Sequence, residues 1–149
     1  MGTSSPDALL QVIARDPFAR HLGVELLSLE PGYSRVAMTL QPYMHNFNGL
    51  AHGGAIFSLA DAAFAAASNS HGQVAVALSM TIHYLTVPSP GARLIATAAE
   101  SRLGKTAAFY DIVVAEEGGS TVARCQGVVQ RRDRLVGERQ SEVDHDLER

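Results

Sequence analysis

Gly53-Gly54-Ala55-Ile56-Phe57-Ser58-Leu59-Ala60-Asp61-Ala62-Ala63-Phe64-Ala65-Ala66-Ala67-Ser68-Asn69 is followed, after Ser70-His71-Gly72, by Gln73-Val74-Ala75-Val76-Ala77-Leu78-Ser79-Met80-Thr81-Ile82-His83-Tyr84, and the change of pattern between them decides the fold. In the first stretch Ile56, Ala60, Ala63, Phe64 and Ala67 recur at helical spacing, which predicts one helix over roughly 53–69 with that face buried. The other alanines carry little bulk, so other backbone can approach closely, as a sheet wrapped round the helix requires. After Gly72 the period drops to two: Val74, Val76, Leu78, Met80, Ile82 and Tyr84 alternate with Ala75, Ala77, Ser79, Thr81 and His83. That predicts a long strand with one bulky face and one small, more polar face.

Upstream, Ser5-Pro6-Asp7 reads as a helix start, with a capping hydroxyl, a proline at the first helical position and an acidic first turn. Asp16-Pro17 ends or restarts that helix. Val24–Leu29 and Tyr33–Leu40 are β-like runs joined by Glu30-Pro31-Gly32, which predicts a hairpin. Downstream of Pro88-Ser89-Pro90-Gly91 come three more strands, about 93–102, 106–116 and 121–131, with turns at Gly104-Lys105 and Gly118-Gly119. The tail from Arg132 is charged and aperiodic and reads as mobile. The division is thus 1–22, a helical segment; 23–131, the main domain; and 132–149, the tail. One apolar helix against about six antiparallel strands is an α+β layer architecture, the hotdog arrangement in which a sheet curls round a helix.

A chain of 149 residues fits one domain. Charged residues are only 18% against 46% hydrophobic, fewer than the roughly 25% of an average domain, so further surface is expected to be buried between subunits in a homo-oligomer. The net charge of −3 lacks the basic stripe of general nucleic-acid binding. One cysteine, Cys125, excludes an internal disulfide and multi-cysteine metal sites; mid-strand, it reads as a small core or interface residue. His45 and His83 have no partner at ligand spacing, so no metal is expected, and no cofactor. No secretory signal or membrane span is evident, which makes the cytoplasm the expected compartment.

The chemistry concentrates at 46–61. A polar, glycine-rich loop, Asn46-Phe47-Asn48-Gly49-Leu50-Ala51-His52, runs straight into the helix at Gly53-Gly54. Helix-start amides lack intrahelical partners and favour negative charge, and glycine lets a carbonyl approach them without a Cβ in the way. Asp61 is the only charge on the apolar helix; carboxylates are rarely buried unless paired. Together these suit acyl transfer, in which a developing oxyanion needs donors and a nucleophile needs activation. In such a loop His52 reads first as a structural hydrogen-bonding residue and second as a base, while Asn48 reads as a turn residue.

His52-Gly53-Gly54, Leu59-Ala60-Asp61 and Asn69 resemble the signature of hotdog-fold acyl-CoA thioesterases, and in particular the branch acting on phenylacetyl- and hydroxyphenylacetyl-CoA type thioesters in phenylacetate degradation. The resemblance covers about Phe18 to Gln130, including Gly104-Lys105-Thr106 and Tyr110-Asp111-Ile112. It implies that the Gly53 amide polarises the thioester carbonyl and that Asp61 activates water or attacks the carbonyl. It further implies that Asn46 holds the attacking water or the thioester and that His52 shapes the loop. Ser79 matches, more loosely, a polar residue that assists in some relatives. Gly54 and the Gly104-Lys105-Thr106 turn are the expected substrate contacts, the turn meeting the nucleotide of coenzyme A.

Gly53 and Asp61 are eight positions apart, about 12 Å along a helix axis. One thioester carbon cannot touch both within one chain. Two antiparallel helices meeting across a two-fold would bring one chain's Gly53 near the other's Asp61, so the active sites are expected to be shared in a dimer, and the assembly is expected to be a tetramer. Phosphates of coenzyme A then require local cations, for which Lys105, Arg102, Arg124, Arg131 and Arg132 are the candidates. The competing readings are a non-catalytic acyl-CoA-binding module and a hotdog hydratase or dehydratase using His52.

Overall fold

The computed structural model describes residues 5–138. Helix α1 is Pro6–Ala14 and α2 is Pro17–His21. The first starts as the sequence predicts, with Ser5 Oγ accepting from Ala8 N–H, and Asp16-Pro17 restarts the chain as a second helix in which Asp16 Oδ1 accepts from Ala19 N–H; proline stands at the first turn of both. Strands β1 (Glu25–Glu30) and β2 (Tyr33–Thr39) form the hairpin, with Gly32 at φ +74° supplying the left-handed turn residue. A 3₁₀ turn, Pro42–Met44, leads through the loop to α3, Gly53–Asn69, the expected helix residue for residue. Then follow β3 (Gln73–Tyr84), β4 (Arg93–Leu103), β5 (Ala107–Glu116) and β6 (Thr121–Leu135).

The six strands form one antiparallel sheet in the order β1-β2-β4-β5-β6-β3. It folds round α3, whose Ile56, Leu59, Ala60, Ala63, Phe64 and Ala67 are at most 3% exposed. Phe64 is the bulky element of that face. Its ring meets Tyr110 edge-on at 5.7 Å, and on the other side lies Gly127 of β6, where an added Cβ would stand 2.5 Å from the ring. Only glycine admits the ring there, so Phe64 seats the helix at one place on the sheet.

Two expectations need correction. The strand β6 continues past 131 to Leu135, with Ala75 opposite Arg131 and Gln73 opposite Leu135; an unbroken run of charge, Arg131-Arg132-Asp133-Arg134, concealed it. Residues 139–149 of the expected tail lie outside the described residues. The second correction concerns β3. A bulge between Ala77 and Ser79 leaves Leu78 without a partner on β6 and reverses the alternation. Before it Ala75 packs on the core, and after it Met80 and Ile82 do, while Val76 and Leu78 are 43% and 62% exposed. The bulky face is therefore split between helix and solvent.

Candidate active site

The loop before α3 closes on itself. Asn46 N–H donates to Leu50 O at 2.7 Å and His52 N–H to Met44 O at 2.7 Å, while His45 bridges Ala51. Asn46 Oδ1 accepts from the backbone N–H groups of Asn48 (2.9 Å) and Leu50 (3.2 Å). This fixes the amide orientation and leaves its Nδ2 hydrogens without a partner among the described residues. Asn48 contributes only backbone to the turn, as expected.

His52 is the N-cap of α3, and its Nδ1 accepts from Gly54 N–H at 2.8 Å. One imidazole nitrogen is thereby committed to capping, which fits the structural reading of this residue and spends the Gly54 amide. Ala55 and Ile56 N–H both turn to His52 O at 3.0 and 3.3 Å. The Gly53 amide is left, among the described residues, as the first-turn donor with no acceptor. Helix-start amides of this kind are positive ends that take an anion or a polarised carbonyl.

Tyr84, in the sequence only one of the alternating bulky residues of the long strand, completes this end. As the last residue of β3, it donates its hydroxyl to Gly53 O at 3.1 Å. A Cβ at Gly53 would lie 3.3 Å from its ring. The residue is on the helix side of the sheet because of the bulge, so strand alternation from Val74 alone does not reveal its role.

Asp61 lies two turns further along α3, on the flank away from the sheet. It is exposed in the single chain and none of the ion pairs among the described residues involves it. Yet the surrounding helices shield the carboxyl enough to raise its pKa above the ordinary value, first by desolvation and second through the negative charge of Asp16. A carboxylate shifted upward is a better proton acceptor at neutral pH than an ordinary one.

The structure brings Asn46, His52, Gly53 and Gly54 together at the start of α3 and leaves the other predicted residues apart from them in the single chain. Ser79 is exposed at the β3 bulge. Gly104-Lys105-Thr106 forms the β4–β5 turn, which pairs onward to Gln130 and Arg131, level with the C-terminal end of α3 and so at the far end of the sheet from Gly53. Gly104 is required there, since a Cβ would meet Ala107 O at 2.5 Å. Its carbonyl accepts from Arg131 Nη1 at 3.1 Å, so Arg131 braces the turn, while Lys105 is exposed. Cys125 is a buried core thiol, its pKa pushed up to about 11 by burial, and is chemically quiet.

Also unforeseen is a polar cluster below the other end of α3. Glu100 Oε2 takes the hydroxyl of Tyr110 and the Nε2 of His71, each at 2.7 Å. Burial alone would raise the Glu100 carboxyl, but the hydrogen bonds from His71 and Tyr110 outweigh it and the pKa is lowered. Its partners are 29 and 10 residues away in sequence, so no local pattern signals it.

This strand order with a single enclosed helix defines a hotdog protein. Residues 48–123 match the thioesterase superfamily, and the chain belongs to that family; it is a thioester hydrolase. The acyl-coenzyme A thioesterase PaaI of Escherichia coli is 40% identical over 116 residues, 78% of this chain and 83% of that protein. The structure of the E. coli PaaI protein, from the phenylacetic acid degradation operon, superposes with a TM-score of 0.82 at 36% identity, covering 89% of this chain and 99% of the other. A Streptococcus mutans protein solved with acetyl-CoA bound superposes with a TM-score of 0.70 at 28% identity over 73% of this chain and 88% of its own.

Proposed function

We propose that the chain hydrolyses acyl-CoA thioesters, with aryl-acetyl and similar small or medium acyl groups as substrates, at sites shared between two copies. The observation that carries this is the unpartnered amide of Gly53 beside the free Asn46 amide group, with a lone, shielded carboxylate on the same helix but about 12 Å away.

In this reading the thioester carbonyl oxygen sits on Gly53 N–H of one copy, and Asn46 orients the carbonyl or the water. Asp61 of the partner takes a proton from the water as it adds to the carbonyl carbon, or adds to that carbon itself. The oxyanion that forms is stabilised at the helix start. Its collapse breaks the C–S bond and expels the thiolate of coenzyme A. On the water route the thiolate takes the proton held by Asp61 and the free acid leaves; on the direct route water then cleaves the acyl–Asp61 anhydride, which releases the free acid, restores the carboxylate and gives the remaining proton to the thiolate. The Nδ1 of His52 is engaged by Gly54, which counts against the hydratase alternative that asked more of this ring. Lys105, exposed on the braced Gly104-Thr106 turn, is the proposed contact for the nucleotide phosphates.

The pairing edge follows from the sheet. Strand β1 is a short, bulged edge ending in Glu25 and Glu30. Strand β3 is a long edge flanked by exposed Val76, Leu78, Leu85 and Val87. An unprotected apolar edge is where a second chain adds, and Phe47, 98% exposed at the loop tip, has its natural cover in the partner. The test is Asp61→Ala, with free thiol followed by a chromogenic thiol reagent on phenylacetyl-CoA. Turnover is expected to fall roughly 100- to 10,000-fold with folding intact; near wild-type kcat in a folded variant refutes the assignment.

A further inference from the structure

We propose that the groove between the two N-terminal helices and the flank of α3 receives the acyl group of the substrate and sets its preference for neutral, apolar acyl chains. The inference rests on the reading of Asp61 as the group acting at the thioester carbon.

The groove is walled by Val12 and Ile13 of α1, by Val24 and Leu26 near β1, and by Ala62 and Ala65 of α3, and encloses about 320 Å³. Its place along the helix is what connects it to the chemistry. Ala62 follows Asp61 directly, and Ala65 is four residues on, hence on the same flank one turn away. An acyl chain leaving a carbonyl carbon at Asp61 and running toward the C-terminal end of α3 enters this recess. The groove exists because these positions are alanine: any longer side chain there would fill it.

The lining fits an apolar guest. Asn69, at the end of the recess, has its polar atoms engaged: Nδ2 donates to Ala65 O at 2.9 Å and Ala75 O at 3.3 Å, and Oδ1 accepts from Ala75 N–H at 3.0 Å. No polar group there asks for a ligand partner. The volume is about twice the ~150 Å³ that holds a benzene ring, enough for a ring with its methylene or for a medium aliphatic chain. At the rim stands Asp16, near enough to Asp61 for its charge to act on that carboxyl. Two carboxylates at the entrance repel an acyl group that itself ends in a carboxylate.

A larger cavity, about 410 Å³, lies among Leu9, Leu29, Ser70 and His71. It is beyond the end of α3, roughly 13 Å along the axis from Asp61, and too far to take the acyl group of a thioester held there.

The test compares kcat/KM for acetyl-, hexanoyl-, decanoyl-, glutaryl- and phenylacetyl-CoA in the full chain and three variants. For Ala65→Leu the phenylacetyl-to-acetyl ratio is expected to fall about 30-fold or more, the discrimination one or two added methylenes produce in an apolar pocket. For Ile13→Ala, a widening that does not touch α3, the decanoyl-to-hexanoyl ratio is expected to rise several-fold. For Asp16→Asn the glutaryl-to-hexanoyl ratio is expected to rise. Should all three ratios stay within about twofold of wild type while Asp61→Ala is inactive, the groove assignment is overturned and the catalytic reading stands. Full turnover by Asp61→Ala would remove the catalytic reading, and the groove assignment with it.

Discussion

Gly53→Pro isolates the helix-start amide in a way that side-chain deletion cannot. Proline is accommodated at the first position of a helix, where its missing N–H costs no internal bond. The preceding residue, His52, already has φ −68° and ψ 130°, the extended conformation that proline demands of its neighbour. The Gly54 N–H to His52 Nδ1 bond does not involve the altered atom. The substitution therefore removes one N–H from the proposed oxyanion site and adds side-chain atoms 3.3 Å or so from the Tyr84 ring. Gly53→Ala is the matched control, since it makes the same Cβ contact and keeps the N–H. Loss of one oxyanion donor costs about 3–4 kcal/mol of transition-state stabilisation, a drop of roughly 100- to 1,000-fold in kcat, whereas the alanine variant is expected within about tenfold of wild type. Thiol release under saturating phenylacetyl-CoA gives kcat, and urea denaturation confirms comparable folding. Equal activities for the proline and alanine variants would show that the Gly53 amide does not carry the oxyanion.

Three further outcomes are expected. If ionised Asp61 is required, the acidic limb of the kcat/KM profile lies above the ordinary carboxylate range, because burial and Asp16 raise its pKa. Asp16→Asn, which keeps a capping side chain for α2, removes the like charge, and the limb is expected to move to lower pH; an unmoved limb refutes the coupling. Glu100→Ala leaves the hydroxyl of the buried Tyr110 unpaired and is expected to cost about 1–3 kcal/mol in urea unfolding. Because the folded pKa of Glu100 is lowered, its ionic contribution is present above its ordinary value of 4.5 and fades as pH falls through the folded value. The wild-type advantage over Glu100→Gln should shrink in that acidic window, and a gap independent of pH would contradict the assignment. Leu78→Lys places a charge on the exposed β3 edge and is expected to give a monomer by sedimentation, with turnover down at least about 100-fold; a fully active monomer ends the shared-site reading.

Much of this fold is legible in the chain because its signals are local. Pro6 and Pro17 with their caps, Gly32 in its turn and the seventeen residues of α3 each declare themselves through spacing and turn chemistry. Asn46, Gly53 and Asp61 also stand out as candidates, since a charge among alanines and a glycine pair at a helix start have few structural uses. What escaped depends on pairing across the sheet. The β3 bulge is set by register against β6, so the split of Val76 and Leu78 from Met80 and Ile82 is invisible in the alternation itself. Tyr84 acquires its contact with Gly53 through that same register, and the His71–Glu100–Tyr110 cluster joins the α3–β3 turn to β4 and β5. Arg132 to Leu135 hides as a strand because its exposed rim needs no apolar period.

The notch at Gly127 that receives Phe64 has a consequence for how such an enzyme diversifies. With the rod keyed to its cradle by one aromatic ring, its seat on the sheet does not rely on the alanines beside the N-terminal helices. On the proposed reading of that recess, those positions can vary one at a time, and a lineage can retailor the guest it admits while the rod stays in register.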